Sequence, residues 1–157
     1  MALRNIRVEG DPVLAKISKP VKEMSERNLE LVDDLLDTMY EANGVGLAAP
    51  QVGVLKRIVV VDVSEEGDEP IILVNPVIVE SDGSQTGPEG CLSVPGKQGT
   101  VTRANHVVVE AFDCEMKPIR VEGTELLARA LQHEIDHLDG ILYTSKVEGD
   151  VTSEEEE

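Results

Sequence analysis

Tryptophan is absent from this chain, and its 157 residues hold only one phenylalanine and two tyrosines. A core of stacked rings is therefore excluded, and packing must come from Val, Ile, Leu and Ala. Positive charge is scarce too: 14 lysines and arginines face 31 aspartates and glutamates, a net charge of −17. That balance disfavours unaided binding to nucleic acid or to an anionic membrane. Glu148, Asp150 and Glu154 to Glu157 supply part of the excess, yet without those six the count is still 14 bases against 25 acids, or −11. No apolar run reaches the length that spans a bilayer, and Met1-Ala2-Leu3-Arg4-Asn5 lacks the apolar stretch of an export signal. The only two cysteines, Cys91 and Cys114, are accordingly expected as free thiols in a cytoplasmic protein.

The length suits one domain. Gly10-Asp11-Pro12 and Lys19-Pro20 predict an irregular N-terminal arm. From Ser25, a candidate cap, apolar Leu29, Val32, Leu35, Leu36 and Met39 recur at helical steps until Asn43-Gly44. Short β-type runs follow at Arg57 to Val63 and at Ile71 to Glu80, the latter interrupted by Pro76. His106 to Phe112 and Pro118 to Val121 read as a hairpin around Asp113-Cys114-Glu115-Met116. Ser81 to Gly99, rich in Gly, Pro and Ser, is expected to be loop. A second strong helix runs from near Thr124 to near Gly140. Helices at both ends with strands between them predict an α+β domain over residues 1–146. Residues 147–157, acidic and poor in apolar side chains, are expected to be a disordered tail.

The second helix carries His133-Glu134-Ile135-Asp136-His137. Positions i and i+4 stack on one helical face, so His133 and His137 can grip one metal ion, while Glu134 can take a proton from water held there. Leu126 and Ala130 lie below the histidines on the same face and can floor a pocket, which the small Ala130 would make deep. The pattern names metal-assisted attack of water on a carbonyl, without saying which carbonyl. It also leaves a tetrahedral site one protein ligand short.

The two familiar protease solutions for the third ligand fail. A metzincin needs His three residues beyond the glycine, where Gly140 is followed by Tyr143, and no Met lies after Met116. A thermolysin-like Glu from a later helix would have to come from Glu148 or the terminal acidic run. The ligand must lie upstream: Cys91, Cys114, His106 or a carboxylate. Cys91 has the best setting, in a short apolar segment between Gly90 and Pro95, whereas Cys114 sits in a predicted hairpin turn and His106 opens a strand. A Cys/His/His set with an open fourth position is a catalytic arrangement rather than a structural one.

Three stretches now gain meaning together: Gly44-Val45-Gly46-Leu47-Ala48-Ala49-Pro50-Gln51, Glu89-Gly90-Cys91-Leu92-Ser93 and Gln132-His133-Glu134-Ile135-Asp136-His137. In order and spacing they resemble the three motifs of the peptide deformylases, and Gly10-Asp11-Pro12-Val13-Leu14 is similar to that family as well. The resemblance implies antiparallel β-sheets packed around a C-terminal metal-binding helix, with an N-terminal helix. It implies a hydrolase that removes the formyl group from N-formylmethionine at the start of newly synthesised peptides. By position, Cys91, His133 and His137 would bind the metal and Glu134 would be general base and acid. Gln51 and the backbone N–H of Leu92 would form the oxyanion hole. Fe²⁺ would be the metal in the cell, with Zn²⁺, Ni²⁺ or Co²⁺ able to occupy the site. Val45 and Gly46 would pair with the substrate backbone by strand addition, and the methionine side chain would enter the pocket over Leu126 and Ala130. Glu89 and Arg103 are expected to pair behind the Cys91 loop, with Asp136 a surface or helix-end contact.

Departures from the family pattern concern the periphery. Gln98, preceded by Lys97, stands where some bacterial members carry an arginine that touches substrate. Many members also carry a basic C-terminal helix that docks on the ribosome, whereas the segment from Val147 is acidic; it would repel ribosomal RNA. Two other readings remain open, a metallopeptidase and a metal-stabilised module that grips N-termini without turnover. The missing downstream ligand counts against the first, and the presence of both Gln51 and Glu134 against the second.

Overall fold

A computed structural model describes residues 3–153 of the chain. The N-terminal arm is irregular apart from a 3₁₀ turn at Pro12–Ala15, where Asp11 accepts the Val13 N–H at the cap. Helix α1 spans Glu26–Glu41, and Ser25 caps it by accepting the Asn28 N–H. The chain leaves α1 through Asn43 in the left-handed region (φ 58°), while the Gly44 N–H closes the end on the Met39 carbonyl.

Five strands follow the expected antiparallel plan. They are β1 (Gly46–Ala48), β2 (Ile58–Val61), β3 (Ile71–Asp82), and, later in the chain, β6 (His106–Phe112) and β7 (Pro118–Thr124). They form one sheet in the order β1-β2-β3-β6-β7. Pro76, which cannot donate to a ladder, falls where the β3–β6 register shifts between Val74 and Val77. The final helix, α2 (Glu125–Leu138), lies across one face of this sheet and α1 across the other. Strand β2 shows why its sequence reads as an unbroken Ile-Val-Val-Val. Val59 and Val61 pack beneath α2 with Leu131, Ile135 and Leu138, whereas Ile58 and Val60 pack beneath α1 with Leu31, Leu35 and Met39. A strand covered on both faces has no polar side to alternate.

The segment from Ser81 to Gly99 departs from expectation. It is largely strand: β4 (Gln85–Cys91) and β5 (Val94–Arg103) form a hairpin in a second sheet, of order β4-β5-β8. Periodicity hid it because part of its inner face is polar, with Glu89 and Arg103 buried there in place of an apolar stripe. Pro88 is tolerated because β4 is an edge strand. Gly99 is required by close approach, since a Cβ there would stand 2.6 Å from Val147 Cγ2.

That contact comes from β8 (Val147–Ser153), the second departure. The expected disordered tail begins with residues that pair antiparallel to β5, Val147 opposite Val101 and Ser153 opposite Lys97. Composition argued against a folded segment here, but β8 needs no core of its own: a backbone ladder and Val147 over Gly99 suffice to order it. Residues 154–157 lie outside the described residues.

The arm closes against the far end of α2. Gly140 (φ 75°) lies so near the backbone of Ala15 that a Cβ would come within 2.6 Å of its carbonyl carbon and oxygen. Gly140→Ala is therefore expected to cost about 1–3 kcal/mol from the left-handed backbone alone. Thermal unfolding should show a Tm several degrees lower, and an unchanged Tm would contradict this packing.

Candidate active site

The candidate ligands come from two separate pieces of chain. Helix α2 presents His133 and His137 one turn apart, with their Nε2 atoms 3.3 Å from each other. Cys91, the last residue of β4, brings its Sγ to 3.4 Å from His137 Nε2. All three donor atoms lie within 4.8 Å of one another. Tetrahedral ligands held about 2.0–2.3 Å from an ion stand roughly 3.3–3.6 Å apart, so this spacing fits a metal ion. Among the described residues no other group of His, Cys, Asp or Glu meets that test. His106 instead sits between Asp82 and Glu122, at 3.0 and 2.5 Å. Cys114, half-buried in the β6–β7 turn, packs on the apolar cluster beneath α1.

Behind His133 lies a buried carboxylate with four hydrogen-bond donors. Glu89 Oε1 accepts from His133 Nδ1 at 2.6 Å and from an Arg103 Nη2 at 2.5 Å. Its Oε2 accepts from Arg103 Nε at 3.0 Å and from Arg129 Nη1 at 2.6 Å. Burial alone would raise the Glu89 pKa, but His133 and Arg103 outweigh it and hold the carboxyl well below its ordinary range. With Nδ1–H committed to Glu89, the His133 lone pair at Nε2 faces the ligand cluster. Arg103 also donates to Asp136 at 2.8 Å, and Lys146 meets the same carboxylate at 3.1 Å, so Asp136 ends this chain of charges at the surface.

Burial, reinforced by the His133 charge, pulls the His137 pKa well down, leaving a neutral imidazole suited to ligation. For His133 burial also acts downward, yet Glu134, Cys91 and Glu89 together raise it to about 10. These groups favour positive charge at this point, whether a proton on His133 or a cation among the three donors.

Glu134 faces the same cavity, almost fully buried, and its Oε1 has no hydrogen-bond partner. Burial raises its pKa to about 7 against the opposing pull of His133. Gly46 of β1 makes room for it, because a Cβ there would stand 2.5 Å from Glu134 Oε2. Gln51 follows β1 in a 3₁₀ turn at Ala49–Val52. Its Oε1 accepts the Ala48 N–H at 2.9 Å, which turns Nε2 towards Ser93 Oγ at 3.0 Å and Cys91 Sγ at 3.6 Å. Leu92 occupies the two-residue turn joining β4 to β5, where the N–H of the first central residue takes no part in the closing bond.

These elements enclose a cavity of about 480 Å³ between β1, the β4–β5 turn and α2. Every sequence-predicted site residue lines it except His137, which closes the ligand cluster from behind. Ala130 is buried at its floor, whereas Leu126, half exposed, is at the rim rather than the floor; Val45 is similarly exposed opposite. Two contributors escaped the sequence reading. Arg129 precedes His133 by four residues, a spacing that places it on the same face and marked it as detectable. Ser93, the hydroxyl that orients Gln51, gave no signal beyond its place beside Leu92.

A family model described as polypeptide deformylase matches residues 3–152. The chain is 64% identical to a peptide deformylase of Lachnoclostridium phytofermentans, covering 100% of this chain and 98% of that protein. It is 61% identical to one of Agathobacter rectalis, covering 99% and 98%. The fold is similar to the crystal structure of a peptide deformylase from Legionella pneumophila, with a TM-score of 0.90 and 49% identity over 94% of this chain and 88% of that one. A peptide deformylase from Synechococcus elongatus in complex with actinonin gives a TM-score of 0.89 and 38% identity over 93% and 79%.

Glu89→Ala should release His133 and strand the charges of Arg103 and Arg129. Retention of a bound divalent metal is expected to weaken about 10–100-fold in competition with a chelator; unchanged retention would contradict the role given to Glu89. A second expectation concerns pH. The Glu122 and Asp82 contacts raise the His106 pKa, so its stabilisation is complete below about 6.5 and lost as pH rises through the folded value. The Tm gap between the parent chain and His106→Gln should accordingly narrow at alkaline pH.

Proposed function

The chain belongs to the polypeptide deformylase family, and from that premise we propose which of its side chains perform the family's reaction. That reaction is hydrolysis of the formyl amide of N-formylmethionine on newly made peptides, with release of formate. One observation carries the assignment: half-buried Cys91 clustered with buried His133 and His137, beside an unpartnered Glu134 oxygen and the directed amide of Gln51. Cys91, His133 and His137 would hold a divalent cation, which would polarise a carbonyl oxygen and lower the pKa of a water bound to it towards about 7.

The remaining steps belong to the chain. Glu134 accepts a proton from the attacking water as its oxygen bonds to the formyl carbon. The carbonyl oxygen gains negative charge, and Gln51 Nε2–H and the Leu92 N–H donate to it. Each such donor is worth about 10²–10³ in rate. Glu134 then passes the proton to the departing amine nitrogen as the C–N bond breaks, which leaves formate and a free methionine amine. The substrate backbone lies along the β1 edge at Val45 and Gly46, and the methionine side chain passes Leu126 to rest on Ala130. A formyl carbon carries only hydrogen, so a centre this enclosed admits it and excludes bulkier acyl groups.

We assign Fe²⁺ as the cellular metal. Co²⁺, Ni²⁺ and Zn²⁺ bind nitrogen and sulfur sites more strongly than Fe²⁺ and can replace it in preparations. The partners are formylated nascent chains, which places the enzyme's work in the bacterial cytoplasm. No helix among the described residues is long and apolar enough to cross a membrane. The described residues Val147–Ser153 form the strand β8.

Protein loaded with iron or nickel should release formate from formyl-Met-Ala-Ser, and no release would overturn the assignment. Glu134→Gln should keep the metal and lose about 10²–10⁴ in kcat. Elemental analysis beside the formate assay checks both, and retained turnover would remove Glu134 from its role.

A further inference from the structure

The N-terminal arm bonds through its backbone to both turns that carry the proposed oxyanion donors. The Arg7 N–H donates to the Gln51 carbonyl at 2.7 Å, and the Glu9 N–H donates to the Ser93 carbonyl at 2.7 Å. Arg7 in the arm and Glu9 at the turn that follows it thus make two rungs of one short clamp. It bridges the turn that carries Gln51 to the turn that carries Leu92. The arm is itself anchored. The Arg7 guanidinium caps Gly53 at the end of the Gln51 turn, where a Cβ would stand 2.9 Å from Nη2, and also bonds Asp11 at 3.0 Å. The Asp11 N–H closes a turn on the Val8 carbonyl, with Gly10 at φ 103° in its third position. Further along, the Ser18 N–H reaches the Leu138 carbonyl at the end of the metal helix.

From this arrangement we infer that residues Arg7 to Asp11 position the oxyanion hole. Gln51 follows β1 of one sheet and Leu92 joins β4 to β5 of the other, and hydrogen bonds from Gln51 Nε2 to Ser93 and Cys91 link their turns. A side-chain amide on rotatable bonds defines a separation loosely. Two backbone bonds from one extended arm define it tightly, so the arm sets how far apart the Gln51 amide and the Leu92 N–H stand when they receive the developing charge. This inference rests on the oxyanion roles proposed for those two groups.

Glu9→Pro tests it cleanly. Position 9 is the second residue of a turn whose third is a positive-φ glycine, where proline is favoured, and proline removes the N–H. With formyl-Met-Ala-Ser, kcat should fall about tenfold, part of the 10²–10³ that loss of one donor brings. KM, bound metal and Tm should stay near those of the parent chain, and Glu9→Ala, which keeps the N–H, should restore kcat. The Gln51 side-chain amide resonance in the zinc-loaded protein should shift in Glu9→Pro, a readout independent of turnover. An unchanged kcat with an unmoved resonance would overturn the inference, as would a loss confined to KM or metal content. If the parent chain itself released no formate, the proposed reaction would fall, and the resonance alone would then decide whether the arm positions Gln51.

Discussion

The buried carboxylate of Glu89 is the constraint on which the rest of the centre depends. A charge out of water is costly unless every acceptor site is met, and Glu89 is met by His133, by the Arg103 fork and by Arg129. These partners belong to β5 and to α2, while Glu89 belongs to β4. Satisfying one carboxylate therefore docks the β4–β5 hairpin on the metal helix and selects the His133 tautomer at the same time. Removing any one partner leaves the others charged and buried, which makes the network cooperative rather than a sum of surface pairs.

Where Glu89 fixes one side of the centre, glycines fix the other. Gly46 lets β1 pass against the Glu134 carboxylate, and Gly44 meets Leu92, where a Cβ would stand 2.7 Å from Cδ1. The strand edge proposed to receive a peptide backbone thus lies beside Glu134 and the Leu92 turn. A backbone held there would be brought to those groups by main-chain geometry. Such positioning is a large part of what a hydrolase site contributes.

Much of this was legible in the sequence, for reasons that differ by element. The two helices announced themselves through caps and periodicity, and the strand segment Arg57 to Val63 through its unbroken β-branched run. His133, Glu134 and His137 were legible because helical spacing alone determines their common face. The hairpin of β4 and β5 was not, because a polar network replaces the apolar alternation that marks a strand, and Gly99 serves Val147 rather than a loop. Strand β8 was hidden because its order comes from pairing to β5, an interaction that local composition does not carry. Cys91 was favoured as third ligand by its setting between Gly90 and Pro95, whereas Gln51 acquired a role only through resemblance; no local pattern links the two, since the contact is made by tertiary folding.

The division of labour between helix and hairpin bears on selectivity. Helix α2 supplies two nitrogen donors whose spacing is set by one helical turn, and the hairpin supplies sulfur from Cys91 with the Leu92 N–H in the next residue. Cys91 and Leu92 are adjacent, so the thiol and the proposed oxyanion donor stand on consecutive residues of one turn. Gln51 then approaches from the other side, its carbonyl oxygen tied to Ala48 so that only its N–H groups face the site. A substrate carbonyl placed among these groups, as proposed, would meet least crowding when its carbon carries only hydrogen, so acyl selectivity would follow from how the donors are joined to the chain.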